Sequence, residues 1–220
     1  LVYPCHYLQF GHPSTRLNAT ERRLPMQALV VPNSAAKQFT ALQWRSLPEP
    51  TPGPDEVLIQ VRAVGLNPVD AKLVAQGNPA WQYPHVLGLD VAGVVEAVGV
   101  AVTDFTIGEA VCGHGDLATD GCFAELAVAK AAALAPIPRG LSFATDAASL
   151  CAGLTAYQSL YRKANLSVAQ SNLIHAGAGG VGSMALQLAN HAGLKTYTTV
   201  SAGKQDFVAQ LKPTAMIDYH

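Results

Sequence analysis

The sequence predicts an α/β protein with a β-rich first domain and a second domain built on a parallel sheet. Short apolar runs separated by Gly and Pro fill residues 26–135, and from about residue 141 the spacing becomes helical and then alternates between strands and helices. Four glycines lie at positions 177–182, where the first of those later strands gives way to a helix. These observations predict a leader at 1–25 and two domains at 26–140 and 141–220.

Composition excludes several classes of function. The chain has 220 residues, a net charge of −1 and 13% charged residues, against about 25% in an average globular protein. So little charge leaves no basic surface for a row of phosphates, and no run of about 18 apolar residues predicts a membrane span. We therefore expect no nucleic-acid partner and no membrane partner. Because the N-terminus shows no secretory signal, we expect a cytoplasmic protein.

The leader shows no apolar period, and Met26 then opens an apolar run as a start codon would. We expect residues 1–25 to be disordered or non-native, of vector or upstream origin, with organelle targeting as the alternative suggested by their arginines. Asn18-Ala-Thr20 is interpreted as a chance match to a glycosylation signal. The chain's cysteines show no paired CxxC spacing, so we expect reduced thiols: Cys5, Cys112, Cys122 and Cys151.

The first domain is predicted to consist of short strands. In the run at 56–66, four apolar side chains recur at period two after a turn rich in Pro and Gly: Val57, Ile59, Val61 and Ala63. Further apolar runs lie at 91–99, 107–113 and 123–129. Alternation of this kind is typical of strands with one buried face, and the repetition predicts a small β-barrel.

The second domain begins with a helical connection. Its apolar stripe is formed by Ala147, Leu150, Cys151, Leu154, Tyr157 and Tyr161. A strand at 173–176, a helix at 181–191, a strand at 196–200, a helix at 204–211 and a strand at 216–219 then follow in turn. Because strands and helices alternate, the sheet is predicted to be parallel.

The glycines between the first strand and helix form the pattern G-x-G-x-x-G at Gly177, Gly179 and Gly182. The first glycine allows a tight turn, the second lets the backbone approach a pyrophosphate, and the third allows close helix packing. The N–H groups of the following helix then face an anion. Glycines also mark ordinary turns, but the strand before the motif and the second strand about 20 residues later favour a dinucleotide site.

The end of the second strand selects the dinucleotide. An acidic residue there would bind the ribose hydroxyls of NAD, whereas this chain has Ser201 followed by Lys204. A neutral hydroxyl and a cation favour NADPH. The alternative is that Lys204 is an exposed residue in the first turn of a helix and binds no ligand.

Several stretches in order resemble the medium-chain dehydrogenase/reductase superfamily, in its zinc-independent quinone oxidoreductase branch. They are YPHVLGLDVAGVVEAVG, TDFTIGEAV, FAELAV, CAGLTAYQSL and AGAGGVGSMALQLA. The resemblance implies a GroES-like β-barrel as catalytic domain followed by a Rossmann domain. A full Rossmann sheet carries about six strands, so we expect a C-terminally truncated chain with a partial Rossmann domain. Such a fragment is expected to be inactive by itself and to expose an unpaired sheet edge.

Zinc divides this superfamily, because its alcohol dehydrogenases hold a catalytic zinc through Cys, His and Cys. By the resemblance, Asn67 and Leu89 stand at two of those positions, and only Cys151 keeps a ligand type. One thiol does not supply the three or four ligands that zinc requires. We therefore expect no metal, and we interpret Cys151 as a small apolar residue. His85, His114 and His175 are interpreted as turn or core residues.

The resemblance also implies the site residues. Asn67 would contact substrate or cofactor through its amide, with Asp70 as an orienting or proton-relay group, although Asn67 could equally be a turn residue before Pro68. The cofactor residues would be Thr155, Gly177, Gly179, Gly180, Val181, Gly182, Ser201, Lys204 and Tyr219. Thr155 would lie against the nicotinamide and Tyr219 beside the adenosine phosphate.

The resulting hypothesis is an NADPH-dependent, zinc-independent reductase that passes hydride to a quinone or an α,β-unsaturated carbonyl. Negative charge then develops on the acceptor oxygen, which needs hydrogen-bond donors rather than a strong base. Water is one source for the final proton. The alternatives are a zinc-type alcohol dehydrogenase and a non-catalytic dinucleotide-binding protein. A homodimer of the full-length protein is left open.

Overall fold

The computed structural model describes residues 7–9 and 25–219. The chain divides into two compact units, Leu1–Leu150 and Cys151–His220. The division falls inside a helix, ten residues beyond the boundary predicted at 140. None of the helices in the described ranges combines the length and the apolar character that a bilayer crossing requires.

The first unit consists of two antiparallel sheets, which confirms that this part is β-rich. One sheet has the strand order β1-β4-β6-β7-β9, with β8 also paired to β4, and the other has the order β3-β2-β5. The strands are β1 (Tyr7–Gln9), β2 (Met26–Val31), β3 (Gln43–Leu47), β4 (Glu56–Gly65), β5 (His85–Val86), β6 (Asp90–Val98), β7 (Ala110–His114), β8 (Leu126–Lys130) and β9 (Leu134–Pro136). Helix α1 (Pro68–Gln76) follows β4, and α2 (Phe143–Tyr157) begins in this unit.

Strand β4 organises the larger sheet because it pairs with β1, β6 and β8. The predicted period-two residues of β4 are all buried: Val57, Ile59, Val61 and Ala63. Leu58 and Val64 are buried as well, since two register shifts along the β4–β6 pairing interrupt the strict alternation. The apolar core of the unit collects around this strand, with Leu87, Val91, Val95, Val111 and Phe123.

Part of the predicted leader belongs to this sheet. Tyr7–Gln9 form β1, and they pair antiparallel with the end of β4, where Tyr7 lies opposite Gly65. The other leader residues before position 25, including Asn18-Ala-Thr20 and Cys5, lie outside the described residues.

The second unit has the predicted alternation of strands and helices. Its elements are β10 (Ser171–Ile174), α3 (Gly180–His191), β11 (Lys195–Val200), a short 3-10 turn at Ala202–Lys204, α4 (Gln205–Gln210) and β12 (Ala215–Asp218). The strands pair parallel in the order β10-β11-β12, as predicted. Leu186 of α3 packs in one apolar cluster with Ala178 of the turn, Val200 of β11 and Val208 of α4.

The helical connection before β10 differs from its prediction. Helix α2 continues into a π-helical segment at Gln158–Lys163. Of the predicted apolar stripe, Ala147 is buried, but Leu154 and Tyr157 are exposed. Both exposed residues precede the π-helical segment, so the predicted stripe already fails within the regular part of α2.

Candidate functional site

The glycine-rich turn between β10 and α3 is packed so closely that two of its glycines admit no side chain. A Cβ on Gly177 would lie 2.2 Å from Thr198 Oγ1, and a Cβ on Gly182 would lie 2.2 Å from the carbonyl oxygen of Ala176. Gly182 therefore allows the start of α3 to approach the turn that precedes it.

The other two glycines of the turn are less confined. The nearest atom to a Cβ on Gly179 would be the Ala176 carbonyl oxygen at 3.2 Å, and for Gly180 it would be the Ala152 Cβ at 3.7 Å. The amides of Gly180, Val181 and Gly182 stand in the first turn of α3, where an N–H has no carbonyl partner within the helix. This turn therefore has the donors and the dipole that bind an anion.

Threonines of the neighbouring strand hold the turn in shape. Thr199 Oγ1 accepts a hydrogen bond from the Ala176 backbone N–H at 2.9 Å, and Thr198 Oγ1 donates to the Ile174 carbonyl oxygen at 2.6 Å. Ala176 itself has a φ of +56°, in the left-handed region, and such a conformation costs a residue with a Cβ about 1–2 kcal/mol. The tertiary contacts of β11 thus impose a backbone path that the local sequence disfavours.

The predicted cofactor residues meet at one edge of this unit. The glycine turn follows β10, Ser201 and Lys204 follow β11, and Tyr219 follows β12, so all lie beyond the carboxyl ends of adjacent parallel strands. The Lys204 side chain is exposed. Ser201 is the residue before the 3-10 turn, and its carbonyl oxygen accepts the Lys204 backbone N–H at 2.9 Å.

Thr155 lies on α2, whose Ala152 is the neighbour of Gly180. It is exposed, and its carbonyl oxygen accepts a hydrogen bond from Ser159 Oγ at 2.7 Å. The structure therefore places Thr155 one helical turn from a residue that touches the glycine turn.

A separate polar cluster lies in the first unit, where β4 and β7 end, β6 begins and α1 starts. The Asn67 backbone N–H donates to Asp70 Oδ2 at 2.7 Å, and Asn67 Nδ2 donates to Asp90 Oδ2 at 2.8 Å. The other oxygen of the Asp90 carboxylate, Oδ1, lies 2.5 Å from His114 Nδ1. The cluster thus joins both predicted catalytic residues, Asn67 and Asp70, to Asp90 and His114.

The two carboxyl groups of this cluster are buried, with 1% exposure each for Asp70 and Asp90. Burial raises the pKa of Asp70 from 3.8 to about 6, and the nearby Asp90 charge adds to this against the hydrogen bond from Asn67. Asp70 Oδ1 has no hydrogen-bond partner within the described part of the chain. At neutral pH Asp70 therefore holds a charge that its surroundings disfavour.

His114 differs from its interpretation as a turn or core residue. Its side chain is 31% exposed, and the hydrogen bond to Asp90 raises the pKa of its imidazole against the opposing effect of partial burial. Sequence reasoning missed both His114 and Asp90. The available signal was a charged residue at the start of one apolar strand and a titratable one at the end of the next, but only the register shows that Asp90 lies opposite His114.

The remaining histidine and cysteine side chains considered in the first unit, His85, Cys112 and Cys122, pack against other residues of the fold. The His85 ring stacks on Trp81 with centroids 4.0 Å apart. Cys112 and Cys122 are buried free thiols, and burial raises the pKa of Cys112 to about 12. A thiol with so high a pKa is a poor nucleophile and a poor ligand at neutral pH.

A cavity of about 600 Å³ lies within the first unit. Its lining includes the apolar Leu89, Val91 and Ala127 and the acidic Asp116 and Asp120. Of the polar cluster, His114 alone contributes to this lining, so the cavity adjoins one end of the cluster.

Comparison with known proteins identifies the relatives of the chain. Residues 53–139 match the alcohol dehydrogenase GroES-like domain family. A zinc-type alcohol dehydrogenase-like protein of Staphylococcus aureus is 35% identical over 195 residues, covering 78% of this chain and 58% of the relative. A chloroplastic quinone-oxidoreductase homolog of Spinacia oleracea is 37% identical over 187 residues, covering 81% of this chain and 57% of the relative.

Solved structures agree with these relatives. A mycobacterial protein in complex with NADPH superposes with a TM-score of 0.77 at 33% identity, covering 89% of this chain and 59% of that structure. The chain thus spans a little over half the length of the proteins that it matches here. Residues 53–139 thus belong to the GroES-like domain family, and the chain with its parallel three-stranded sheet is similar to quinone oxidoreductases of the medium-chain dehydrogenase/reductase superfamily.

Proposed function

We propose that the full-length protein is an NADPH-dependent, zinc-independent oxidoreductase that reduces a quinone or an α,β-unsaturated carbonyl. The observation that carries this proposal is the glycine turn. Gly177 lies against Thr198 and Gly182 lies against the Ala176 carbonyl oxygen, and neither position has room for a Cβ. A dinucleotide pyrophosphate fits these donors, because they are main-chain N–H groups at a helix N-terminus.

The residues that would hold the cofactor form one continuous edge. The amides of Gly180, Val181 and Gly182 would bind the pyrophosphate, while Gly177 and Gly179 shape the turn, and Ser201 with Lys204 would bind the ribose phosphate. A cation beside a neutral hydroxyl suits the extra phosphate of NADPH, whereas NADH is usually bound by an acidic residue at this strand end. The NADPH complex of the mycobacterial relative supports the same choice. Thr155 and Tyr219 would contact the nicotinamide and the adenosine phosphate.

The acceptor would be polarised by the cluster in the first unit. When bound, the nicotinamide would supply a hydride to the acceptor. Asn67 gives one amide hydrogen to Asp90 and keeps a second for the acceptor oxygen. Asp70 fixes the Asn67 backbone and therefore orients that amide. No metal is required in this scheme, because hydrogen-bond donors can stabilise the developing oxyanion.

The test uses the full-length protein. Titration with NADPH and NADH should show tighter binding of NADPH, and absorbance loss with a panel of quinones and enones should show turnover. Stoichiometric zinc in the purified protein would contradict the proposal and favour a zinc-type alcohol dehydrogenase. Tight NADPH binding without oxidation by any acceptor would instead indicate a non-catalytic dinucleotide-binding protein. The cytoplasmic location and the homodimer stay predictions.

A further inference from the structure

We propose that His114, oriented by Asp90, is the general acid that donates the final proton to the reduced acceptor. This inference rests on the proposed function, since it concerns the second half of the same reduction. The proton donor would then be a residue of the first unit, whereas the sequence analysis named water as one source of the final proton.

The geometry of Asp90 defines the state of the imidazole. The carboxylate uses Oδ1 for His114 Nδ1 at 2.5 Å and Oδ2 for Asn67 Nδ2 at 2.8 Å. A carboxylate in this position accepts a hydrogen from Nδ1, so Nδ1 carries a proton and Nε2, across the ring, is left for exchange. Because Asp90 is 1% exposed while His114 is 31% exposed, the fixed end of the pair is buried and the reactive end is accessible.

The Asp90 carboxylate also brings His114, the proposed proton donor, close to Asn67, whose amide would bind the acceptor oxygen. Asn67 and His114 bind the two oxygens of one carboxylate, so their side chains are neighbours. An acceptor whose oxygen binds the free hydrogen of the Asn67 amide would therefore present its adjacent atoms to the His114 ring.

The surrounding charges keep His114 in the form that can donate. Asp90 on β6 and Asp70 on α1 both favour the imidazolium, and the hydrogen bond from Asp90 is the largest of these effects on the pKa. Partial burial of the ring acts in the opposite direction. A residue whose pKa lies near the working pH is the most effective general acid.

The hydride would come from a C–H bond of bound NADPH, which would be left as NADP⁺. Its addition to the β-carbon of an enone forms one C–H bond and moves the π electron pair onto the carbonyl oxygen as an enolate. The Nε2–H bond of His114 then breaks, and its proton forms the second C–H bond at the α-carbon, or an O–H bond on a hydroquinone anion. His114 is left neutral, still bonded through Nδ1 to Asp90, and solvent restores its proton.

The first test compares His114→Gln with His191→Gln in the full-length protein, because His191 is an exposed histidine at the end of α3. We expect His114→Gln to lower kcat about 100-fold or more with an unchanged Kd for NADPH, and His191→Gln to change neither. In His114→Gly, added imidazole should restore part of the lost rate. Wild-type turnover in His114→Gln, or no rescue in a His114→Gly protein that still binds NADPH, would overturn the assignment.

The second test does not depend on turnover. NMR titration of the His114 ring should give a pKa above the ordinary value of histidine, and Asp90→Asn should lower it. An unshifted His114 pKa in wild-type protein would overturn the dyad. The two proposals fail in different ways. If no quinone or enone causes the wild-type protein to oxidise NADPH, the proposed function fails. If turnover occurs but is insensitive to His114→Gln, only this inference fails.

Discussion

The two units of the chain bury their strands to very different degrees. In the first unit, β4 pairs with three other strands, and Ile59 at its centre is fully buried. In the second unit, Leu173 on β10 is 52% exposed, and every residue of β12 is exposed. Antiparallel sheets can cover their own apolar residues with neighbouring strands, but a parallel sheet needs layers on both faces. In the second unit the apolar side chains that meet solvent are those of the two outer strands, β10 and β12.

The largest expected difference between the units concerns buried and exposed apolar residues. Ile59→Ala should lower the free energy of unfolding of the first unit by about 3–4 kcal/mol, because it leaves a cavity in a closed core. Leu173→Ala in the second unit should change stability by less than about 0.5 kcal/mol. Both tryptophans, Trp44 and Trp81, lie in the first unit, so their fluorescence in urea reports that unit, and hydrogen exchange of β10 reports the other. Equal losses at the two positions would contradict the comparison.

The second unit should nevertheless be rigid at its glycine turn. Gly182→Ala places a Cβ 2.2 Å from the Ala176 carbonyl oxygen, and because this is backbone, relief requires α3 to move, at about 2–3 kcal/mol. Gly180→Ala is the matched control, since its Cβ would meet Ala152 at 3.7 Å. Hydrogen exchange across β10 and α3 should rise in Gly182→Ala and stay unchanged in the control. Equal protection in both variants would show that the turn is looser than described.

The first unit should lose stability with rising pH because of Asp70. Its pKa is about 6 in the folded chain and about 3.9 when unfolded. Between these values the folded state keeps a proton that the unfolded state has lost, so the free energy of unfolding falls as pH rises, by on the order of 2 kcal/mol. Asp70→Asn should remove this dependence, and Asp104→Asn, at an exposed position, should keep it. Urea denaturation at about pH 4 and pH 7 measures the difference, and a wild-type protein that gains stability over this range would refute the prediction.

The smallest expected effect is on cofactor choice in the second unit. Lys204→Ala should weaken NADPH binding about tenfold, because one exposed charge-assisted contact is worth roughly 1.5 kcal/mol, and should spare NADH. Lys195→Ala removes an exposed lysine from the opposite end of β11 and serves as the control. Fluorescence titration with both dinucleotides decides the matter. Equal weakening of NADPH and NADH by Lys204→Ala would remove the phosphate role of this lysine.

Within the second unit, the sequence predicted some features better than others. Helix α3 was expected at 181–191 and is found at Gly180–His191, and β11 was expected at 196–200 and is found at Lys195–Val200. Glycines and apolar periods mark these boundaries locally. The prediction that Leu154 and Tyr157 belong to an apolar helical face was wrong about their burial, because both are exposed near the end of α2, just before the π-helical segment.

The polar cluster shows the limit of sequence reasoning. Asn67 and Asp70 are three residues apart at a helix start, a spacing that local chemistry explains. Asp90 and His114 are distant in the chain, and they meet because β6 and β7 pair in a register that places them opposite each other. Their types are visible in the sequence, but a one-residue change of register would turn one of them to the other face of the sheet.

By itself the sequence determined the order of elements, the parallel sheet and the glycine turn, because each depends on side-chain period or on backbone freedom within a few residues. Only the tertiary structure decided that Ala176 adopts a left-handed conformation held by Thr199, and that Asp90 joins Asn67 to His114. Those contacts connect residues about 23 or more positions apart in the chain. Their geometry follows from strand pairing and packing, which no local pattern specifies.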